Sequence, residues 1–248
     1  MQETLILVSN DDGVASTGIA ALVKAVEPLG QVVVVAPDRE RSAAGHSISL
    51  STPLRAVEVM PGWFAVDGTP TDSVYLGIHH LLGRKPTLLV SGINHGANLG
   101  NDVTYSGTVS AAMEGTVFGV PSIAFSQISL SSLKGDFTQQ TKFVQKLARF
   151  VLDKGLPHDT LLNVNFPPKA DAERFQWTTL GRRRYGEAVD ARVDPRGRKY
   201  YWIGGDEMGH DDLPGSDCNA VAEGLISVSP VHMDLTNYEA LEKLKKQL

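Results

Sequence analysis

Short apolar runs alternate with segments of helical periodicity along the first two thirds of the chain. Runs of four or five apolar residues without polar alternation are typical of strands buried on both faces of a parallel sheet. Apolar residues spaced three and four positions apart indicate helices that cover such a sheet. The alternation therefore predicts an α/β fold with a mostly parallel sheet and helices on both of its faces.

The individual elements follow from the same patterns. The predicted strands cover residues 5–8, 31–36, 63–66, 87–90, 122–125, 161–165 and 225–228. The predicted helices cover about 16–26, 71–82, 107–118 and 143–151, with a last one from about residue 235. Residues 47–59 alternate more in polarity, which predicts an antiparallel excursion from the parallel sheet.

The pattern changes from about Arg174, where aromatic residues begin to alternate with charged ones. Seven basic and three acidic residues lie between positions 182 and 199, and residues 195–197 (Pro-Arg-Gly) suit the tip of a β-hairpin. Such an arm could bind nucleic acid through stacking aromatics, or it could pack on another subunit, and we favour the second interpretation. We accordingly divide the chain into a core, residues 1–173, and an arm or oligomerisation region, residues 174–248, with a returning strand and a helix.

Composition limits the class of protein. The chain has 248 residues, of which 42% are hydrophobic, and its net charge is −5. No apolar stretch approaches the ~20 residues of a membrane span, and no basic leader precedes the first strand. The single cysteine, Cys218, cannot form an internal disulfide. We expect a cytoplasmic protein that binds neither a membrane nor a long nucleic acid.

The candidate chemistry begins with Asp11 and Asp12, which follow directly after the first predicted strand. Open α/β sheets place their ligands at the carboxyl ends of the strands. Two neighbouring carboxylates repel each other unless a cation or a shared proton offsets their charge, and Mg²⁺ or Mn²⁺ prefers such oxygen ligands. Because Asp12 precedes a glycine, a simple turn is the alternative interpretation.

Further polar residues follow later strands, and we expect them at the same edge of the sheet. Ser42 follows the second strand, and Asn94 and Asn98 lie in a glycine-rich loop after the strand at 87–90. Residues 105–108 (Tyr-Ser-Gly-Thr) begin a helix, where free backbone N–H groups suit a phosphate. Each residue alone could be a local cap or a loop stabiliser, but their joint position favours a site.

Three histidine-containing segments are weaker candidates. His46 and His95 lie in polar loops near the expected site, where either could transfer a proton, although we favour solvated loop histidines. Residues 210–212 (His-Asp-Asp) could form a second metal cluster, but they lack a strand before them, so a solvated acidic loop is the better interpretation.

Taken together, these motifs resemble the SurE family of metal-dependent survival-protein nucleotidases over nearly the whole chain. The matching segments are residues 9–13, 36–42, 68–72, 91–100, 105–109, 216–217, 220–221 and 227–230. Ser216 stands where a threonine is more usual, and Ser110 stands where an alanine is more usual. Neither departure affects a proposed metal ligand.

The resemblance implies a Rossmann-like three-layer αβα core whose C-terminal β-hairpin arm is exchanged between the subunits of a homodimer or homotetramer. It implies hydrolysis of nucleoside 5′- and 3′-monophosphates with one Mg²⁺ or Mn²⁺ ion per subunit. The metal ligands implied by motif match are Asp11, Asp12, Ser42 and Asn94. The phosphate-binding residues implied in the same way are Asn98, Ser106, Gly107 and Thr108.

For the reaction, we expect Asp11 and Asp12 to be the catalytic residues. The attacking group is either a metal-activated water or Asp11 itself, because an aspartyl-phosphate route is chemically allowed. The alternative function is a regulator that binds nucleotides or RNA without turning them over.

Overall fold

The computed structural model describes residues 3–129, 135–186, 189–204 and 207–247. The strands are β1 (Leu5–Ser9), β2 (Gln31–Pro37), β3 (Ala56–Met60), β4 (Trp63–Val66), β5 (Leu88–His95), β6 (Ser122–Gln127), β7 (Thr160–Phe166), β8 (Phe175–Trp177), β9 (Arg183–Tyr185), β10 (Val189–Val193), β11 (Lys199–Ile203), β12 (Glu207–His210) and β13 (Ile226–His232). The helices are α1 (Thr17–Val26), α2 (Pro70–Leu76), α3 (Gly107–Val117), α4 (Thr138–Lys154), α5 (Asp217–Ala222) and α6 (Tyr238–Lys245).

One nine-stranded sheet organises the described residues, in the order β3-β4-β2-β1-β5-β6-β7-β13-β8. The six consecutive strands β4, β2, β1, β5, β6 and β7 are all parallel to one another. At the two ends of this series, β3 pairs antiparallel with β4, and β13 pairs antiparallel with β7. The prediction of a mostly parallel α/β sheet is therefore confirmed.

Side chains of the central strands alternate between two apolar cores, one on each face of the sheet. In β1, Ile6 and Val8 join the core that contains α1 and α4, whereas Leu7 joins the core that contains α2 and α3. This division follows from the two-residue period of a strand, which sends successive side chains to opposite faces. Helices thus cover both faces, and the expected three-layer arrangement is confirmed.

Two stretches of the main sheet differ from the predictions. Residues 47–55 contain no strand, and the antiparallel excursion is confined to β3. Strand β5 continues to His95, through residues that we expected to form a loop, because Asn94 and His95 still pair with β6 beyond an irregularity after Ser91. Polar side chains at the open end of a strand conceal its length, since they do not belong to the buried apolar run.

The C-terminal region contains the predicted hairpin and the terminal helix. Strands β10 and β11 pair around a turn at Gly197, while β9 and β12 pair at the root of the arm. Every residue of β10 and β11 is exposed, and no residue of α6 is buried. The predictions did not include α5, β8, β9 and β12, which are too short to produce a clear period. Within the described residues, no helix has the length and apolar character needed to span a membrane.

Candidate active site

A cavity of about 370 Å³ lies beyond the carboxyl ends of the neighbouring strands β1 and β5. Five of the predicted site residues line it, and they come from four separate segments of the sequence. They are Asp11, Ser42, Asn94, Asn98 and Ser106. These five include three of the four predicted metal ligands and two of the four predicted phosphate-binding residues, at the edge where an open α/β sheet places its ligand. The other three are not among the lining residues but lie next to them: Asp12 contacts His95, and Gly107 and Thr108 contact Asp11.

Asp11 is the most enclosed acid in this cavity. Asp11 is only 4% exposed, and the hydroxyl of Thr108 donates a hydrogen bond to its Oδ1. Gly107 lies directly against it, since a Cβ at Gly107 would be 2.8 Å from Asp11 Cβ. Burial raises the pKa of Asp11 to about 6, and the charge of Asp12 adds to this effect, which the Thr108 hydrogen bond partly opposes.

Asp12 lies between the ends of β1 and β5. Its Oδ2 accepts a hydrogen bond of 3.1 Å from the backbone N–H of His95. Burial also raises the pKa of Asp12, although the hydrogen bond from His95 lowers it. Two adjacent carboxylates whose ionised forms are both disfavoured fit a site for a cation, because a cation supplies the charge that the protein around them lacks.

Ser42 and Asn94 bring neutral oxygens to the same cavity. The backbone N–H of Arg41 donates to the carbonyl of Asp11 at 2.8 Å, which places the Ser42 loop against the first strand. The amide nitrogen of Asn94 donates to the carbonyl of Gly96 at 2.9 Å, so the amide oxygen is the atom that Asn94 can offer to a cation.

The donor set has the character that a hard divalent cation requires. No group of three or more His, Cys, Asp or Glu side chains suited to a metal ion occurs in the described parts of the chain. A cation would instead combine the carboxylate of Asp11, and that of the adjacent Asp12, with the hydroxyl and amide oxygens of Ser42 and Asn94. Such an all-oxygen set fits Mg²⁺ or Mn²⁺ better than a metal that prefers nitrogen or sulfur.

Helix α3 reaches the cavity at its N-terminus, where the N-cap residue Ser106 is one of the lining residues. Ser106 caps the helix by accepting a hydrogen bond of 3.1 Å from the N–H of Val109. The N–H groups that begin an α-helix have no acceptor within it, and the helix dipole favours an anion there. Gly107 and Thr108 lie in this turn, next to Asp11, so a phosphate bound to the turn would lie beside the carboxylate of Asp11.

Comparison with known proteins shows the family of this chain. The family model described as "Survival protein SurE" matches residues 6–187. The chain belongs to the SurE family. A protein named 5′-nucleotidase SurE from Syntrophotalea carbinolica is 55% identical over 98% of this chain and 96% of its own length. A protein of the same name from Myxococcus xanthus is 55% identical over 96% of this chain and 91% of its own length.

A solved structure extends the similarity to the fold. The crystal structure of the SurE protein from Aquifex aeolicus matches with a TM-score of 0.85 and 44% identity. The match covers 98% of this chain and 99% of that one. The SurE-family resemblance expected from the motifs is therefore confirmed, and with it the Rossmann-like architecture.

The residues that hold Asn98 in this SurE-family chain were not among the predicted site residues. Asn163 and Asn165 of β7 donate to the carbonyl of Asn98 at 2.8 and 3.0 Å, and Asn165 Oδ1 accepts from its N–H. The side-chain nitrogen of Asn98 donates to Ser126 at 2.7 Å. The sequence contained a signal for this contact, because Asn163 and Asn165 interrupt an otherwise apolar strand. Buried side-chain amides need hydrogen-bond partners, so the two asparagines indicate a polar contact on β7.

The weaker candidates are also placed. His95 lines the cavity, as a residue near the site would. Asp211 forms an ion pair with Arg184 at 3.3 Å, and Asp212 accepts a hydrogen bond from Asn219 at 2.6 Å. Asp211 and Asp212 thus agree with the favoured acidic loop, but His210 ends strand β12, so the expectation that no strand precedes the segment is wrong. His46 has a different role from the solvated loop histidine that we favoured.

His46 links the loop that contains Ser42 to helix α3, whose N-terminus carries the predicted phosphate-binding residues. Its Nε2 lies 2.7 Å from Oε2 of Glu114 in α3, a residue that is only 7% exposed. The neighbouring Gly45 donates its N–H to the carbonyl of Tyr105 at 3.1 Å. The loop that carries one predicted metal ligand is thus attached to the elements that carry the phosphate-binding residues.

We expect His46→Ala to destabilise the protein by about 1–3 kcal/mol, because it leaves the buried carboxylate of Glu114 without this partner. Urea unfolding of His46→Ala, Glu114→Gln and the double variant measures the coupling. The double variant should be more stable than the sum of the single losses predicts. Strictly additive losses would show that the two side chains do not interact.

Proposed function

We propose that the chain is a metal-dependent phosphatase that hydrolyses nucleoside 5′- and 3′-monophosphates to nucleoside and phosphate. The observation that carries the proposal is the cavity in which Asp11, Ser42 and Asn94 face the same space as Asn98 and Ser106. The names of the relatives support a nucleotidase activity, since both are described as 5′-nucleotidases and match nearly the whole chain.

One Mg²⁺ or Mn²⁺ ion per subunit would be held by Asp11, Asp12, Ser42 and Asn94. When bound, such an ion polarises a phosphoryl oxygen and offsets the charge that develops during hydrolysis. The raised pKa values of both aspartates support this assignment, because burial without a cation disfavours their ionised forms.

The phosphate group would lie at the first turn of α3. Backbone N–H groups of Gly107 and Thr108, with the hydroxyl of Ser106 and the amide of Asn98, would bind its non-bridging oxygens. The hydroxyl of Thr108 donates a hydrogen bond to Oδ1 of Asp11 and would hold this carboxylate in place beside the phosphate. Asp11 then either attacks the phosphorus or orients the water that does.

The two routes differ in what remains on the protein. If Asp11 attacks, its oxygen forms a bond to phosphorus while the nucleoside alcohol leaves, and water later cleaves the acyl phosphate. Acid quenching during turnover of a phosphorus-labelled nucleotide would then leave label on the protein. Unlabelled protein at every quench time would show that no aspartyl phosphate accumulates during turnover.

The C-terminal arm would mediate assembly into a dimer or a tetramer by exchange between subunits. Val189, Tyr201, Trp202 and Ile203 are all exposed in the β10–β11 hairpin. An isolated two-stranded hairpin is at best marginally stable in water, so these side chains need a partner surface. We propose residues 1–173 as the catalytic core and residues 174–248 as the region that serves this assembly.

A phosphate-release screen tests the activity. The purified protein is incubated with nucleoside 5′- and 3′-monophosphates in the presence of Mg²⁺, Mn²⁺ or a chelator. We expect release of inorganic phosphate with either metal and loss of release with the chelator. Equal release in the chelator would refute the metal assignment, and no release under any condition would refute the phosphatase.

A further inference from the structure

Two tyrosine side chains share the cavity with the proposed metal and phosphate ligands. Tyr105 comes immediately before Ser106 and is 70% exposed, while Tyr185 belongs to strand β9 at the root of the arm and is 48% exposed. Aromatic rings of this exposure contribute little to a core. Their place beside a phosphate site suggests that they contact the rest of the substrate.

The ring of Tyr185 is held in place from two sides. Its hydroxyl donates to Oδ2 of Asp102 at 2.7 Å, and the guanidinium of Arg183 lies over the ring at 5.1 Å from its centre. Arg183 also donates to the same oxygen of Asp102 at 2.5 Å. A ring that is fixed before the ligand arrives loses less conformational entropy when it binds.

Asp102 connects strand β9, at the root of the arm, to the loop that leads into helix α3. It lies in the turn Gly100–Thr104, between Asn98 and Ser106. The buried carboxylate of Asp217 fastens that turn to the arm, because it accepts from the N–H of Gly100 at 2.8 Å and from the N–H of Gly181 at 2.7 Å. The arm root is therefore attached to the cavity at two points.

Tyr105 is positioned by its backbone rather than by its ring. Its N–H donates to the carbonyl of Asp102 at 3.0 Å, and its carbonyl accepts from Gly45. The two bonds fix the backbone of Tyr105 next to Ser106, and Tyr105 lines the same cavity as Tyr185. One ring thus comes from the core and the other from the arm.

We infer that Tyr105 and Tyr185 form an aromatic subsite for the nucleoside of the substrate, with the base stacked against one or both rings. The inference rests on the proposed function. It assigns to the arm root a direct part in substrate binding, in addition to assembly. Stacking suits this purpose because every base presents a π-face, whichever hydrogen-bonding groups it carries.

The test separates the nucleoside end of the cavity from the phosphate end. Tyr105→Ala and Tyr185→Ala are compared with the wild type for the KM of a nucleoside monophosphate, for inhibition by the free nucleoside, and for inhibition by orthophosphate. We expect the nucleotide KM and the nucleoside inhibition constant to rise tenfold or more. The orthophosphate inhibition constant should change by less than about threefold, because orthophosphate has no base to stack.

Two further variants separate the ring from other effects. Tyr185→Phe keeps the aromatic face but loses the hydrogen bond to Asp102, so its KM should lie between those of the wild type and Tyr185→Ala. Phe150→Ala removes an exposed ring from α4, outside the cavity, and should leave all three constants unchanged. Because Tyr105 lies outside the arm, Tyr105→Ala tests the subsite even where Tyr185→Ala alters assembly.

Two results would overturn the inference. In one, both alanine variants leave the nucleotide KM and the nucleoside inhibition unchanged. In the other, the orthophosphate constant rises in parallel with the nucleotide KM, which would show a general distortion of the cavity. Either result is compatible with active wild-type enzyme, whereas a wild type that releases no phosphate from nucleotides refutes the proposed function itself.

Discussion

Asp11→Asn should reduce phosphate release from nucleoside monophosphates on the order of 10³-fold while the protein stays folded. The substitution removes a charge from the proposed metal site and removes the candidate nucleophile. It keeps an oxygen at the Oδ1 position, where the hydroxyl of Thr108 donates its hydrogen bond. Thr108 therefore keeps its hydrogen-bond acceptor and the protein stays folded, but the carboxylate that the reaction requires is absent.

The same variant should be more stable than the wild type when no metal is present. Because the pKa of Asp11 is raised to about 6 from 3.8, ionising it in the folded state costs free energy. This cost is absent below about pH 4, grows between pH 4 and 6, and reaches roughly 3 kcal/mol above pH 6. The metal-free wild type should thus lose stability relative to Asp11→Asn as the pH rises through that window.

Thermal unfolding in chelator from pH 4 to pH 8 measures this difference, and Mn²⁺ titration provides the complement. Mn²⁺ should stabilise the wild type at pH 8 more than at pH 5 and should barely affect Asp11→Asn. Asp153→Asn is the control, since Asp153 is an exposed residue of α4 and should change neither activity nor stability. An Asp11→Asn protein with the activity of the wild type would refute the assignment of the site.

Gly107→Ala should reduce activity by about 100-fold or more, because the new methyl group has no space. Its Cβ would lie 2.8 Å from Asp11 Cβ and 2.9 Å from Asp11 Oδ2, and 3.0 Å from a ring carbon of Pro70. Alanine is otherwise favoured in a helix, so local propensity would not oppose the change. The clash must displace either the carboxylate or the first turn of α3, and a shift of about 1 Å can cost 10²-fold in rate.

Steady-state kinetics together with Mn²⁺ binding measured by electron paramagnetic resonance distinguish the two displacements. A moved carboxylate weakens Mn²⁺ binding, whereas a moved helix turn weakens inhibition by orthophosphate. Gly204→Ala is the matched control, because a Cβ there meets no atom of the described residues within 4 Å. Unchanged kinetics and unchanged Mn²⁺ binding in Gly107→Ala would contradict the close contact between α3 and Asp11.

The parts of the fold that the sequence predicts well are those with strong periodicity. The run at 5–8 and the amphipathic stripe from Phe143 to Val151 have one stable arrangement each, and the structure contains both as β1 and α4. The returning strand β13 was also predicted, but its antiparallel place between β7 and β8 was not. Strand order depends on long-range pairing, which no local pattern encodes.

The site divides in the same way. Asp11, Ser42, Asn94, Asn98 and Ser106 could be predicted to converge, because parallel strands end at one edge of a sheet and the motifs follow those strands. The contacts of Tyr185 with Asp102 and of His46 with Glu114 span 83 and 68 positions of the sequence. Such pairs depend on how irregular loops cross one another, and this information appears only in three dimensions.

The position of β13 has a consequence for synthesis on the ribosome. Strand β7 pairs with β13 over six residues, and these include Asn163 and Asn165, which hold the backbone of Asn98. The nascent chain must emerge beyond residue 232 before that flank of β7 gains its partner. Until then a polypeptide that already contains every proposed catalytic residue presents an open strand, which is where newly made chains associate wrongly and where chaperones bind.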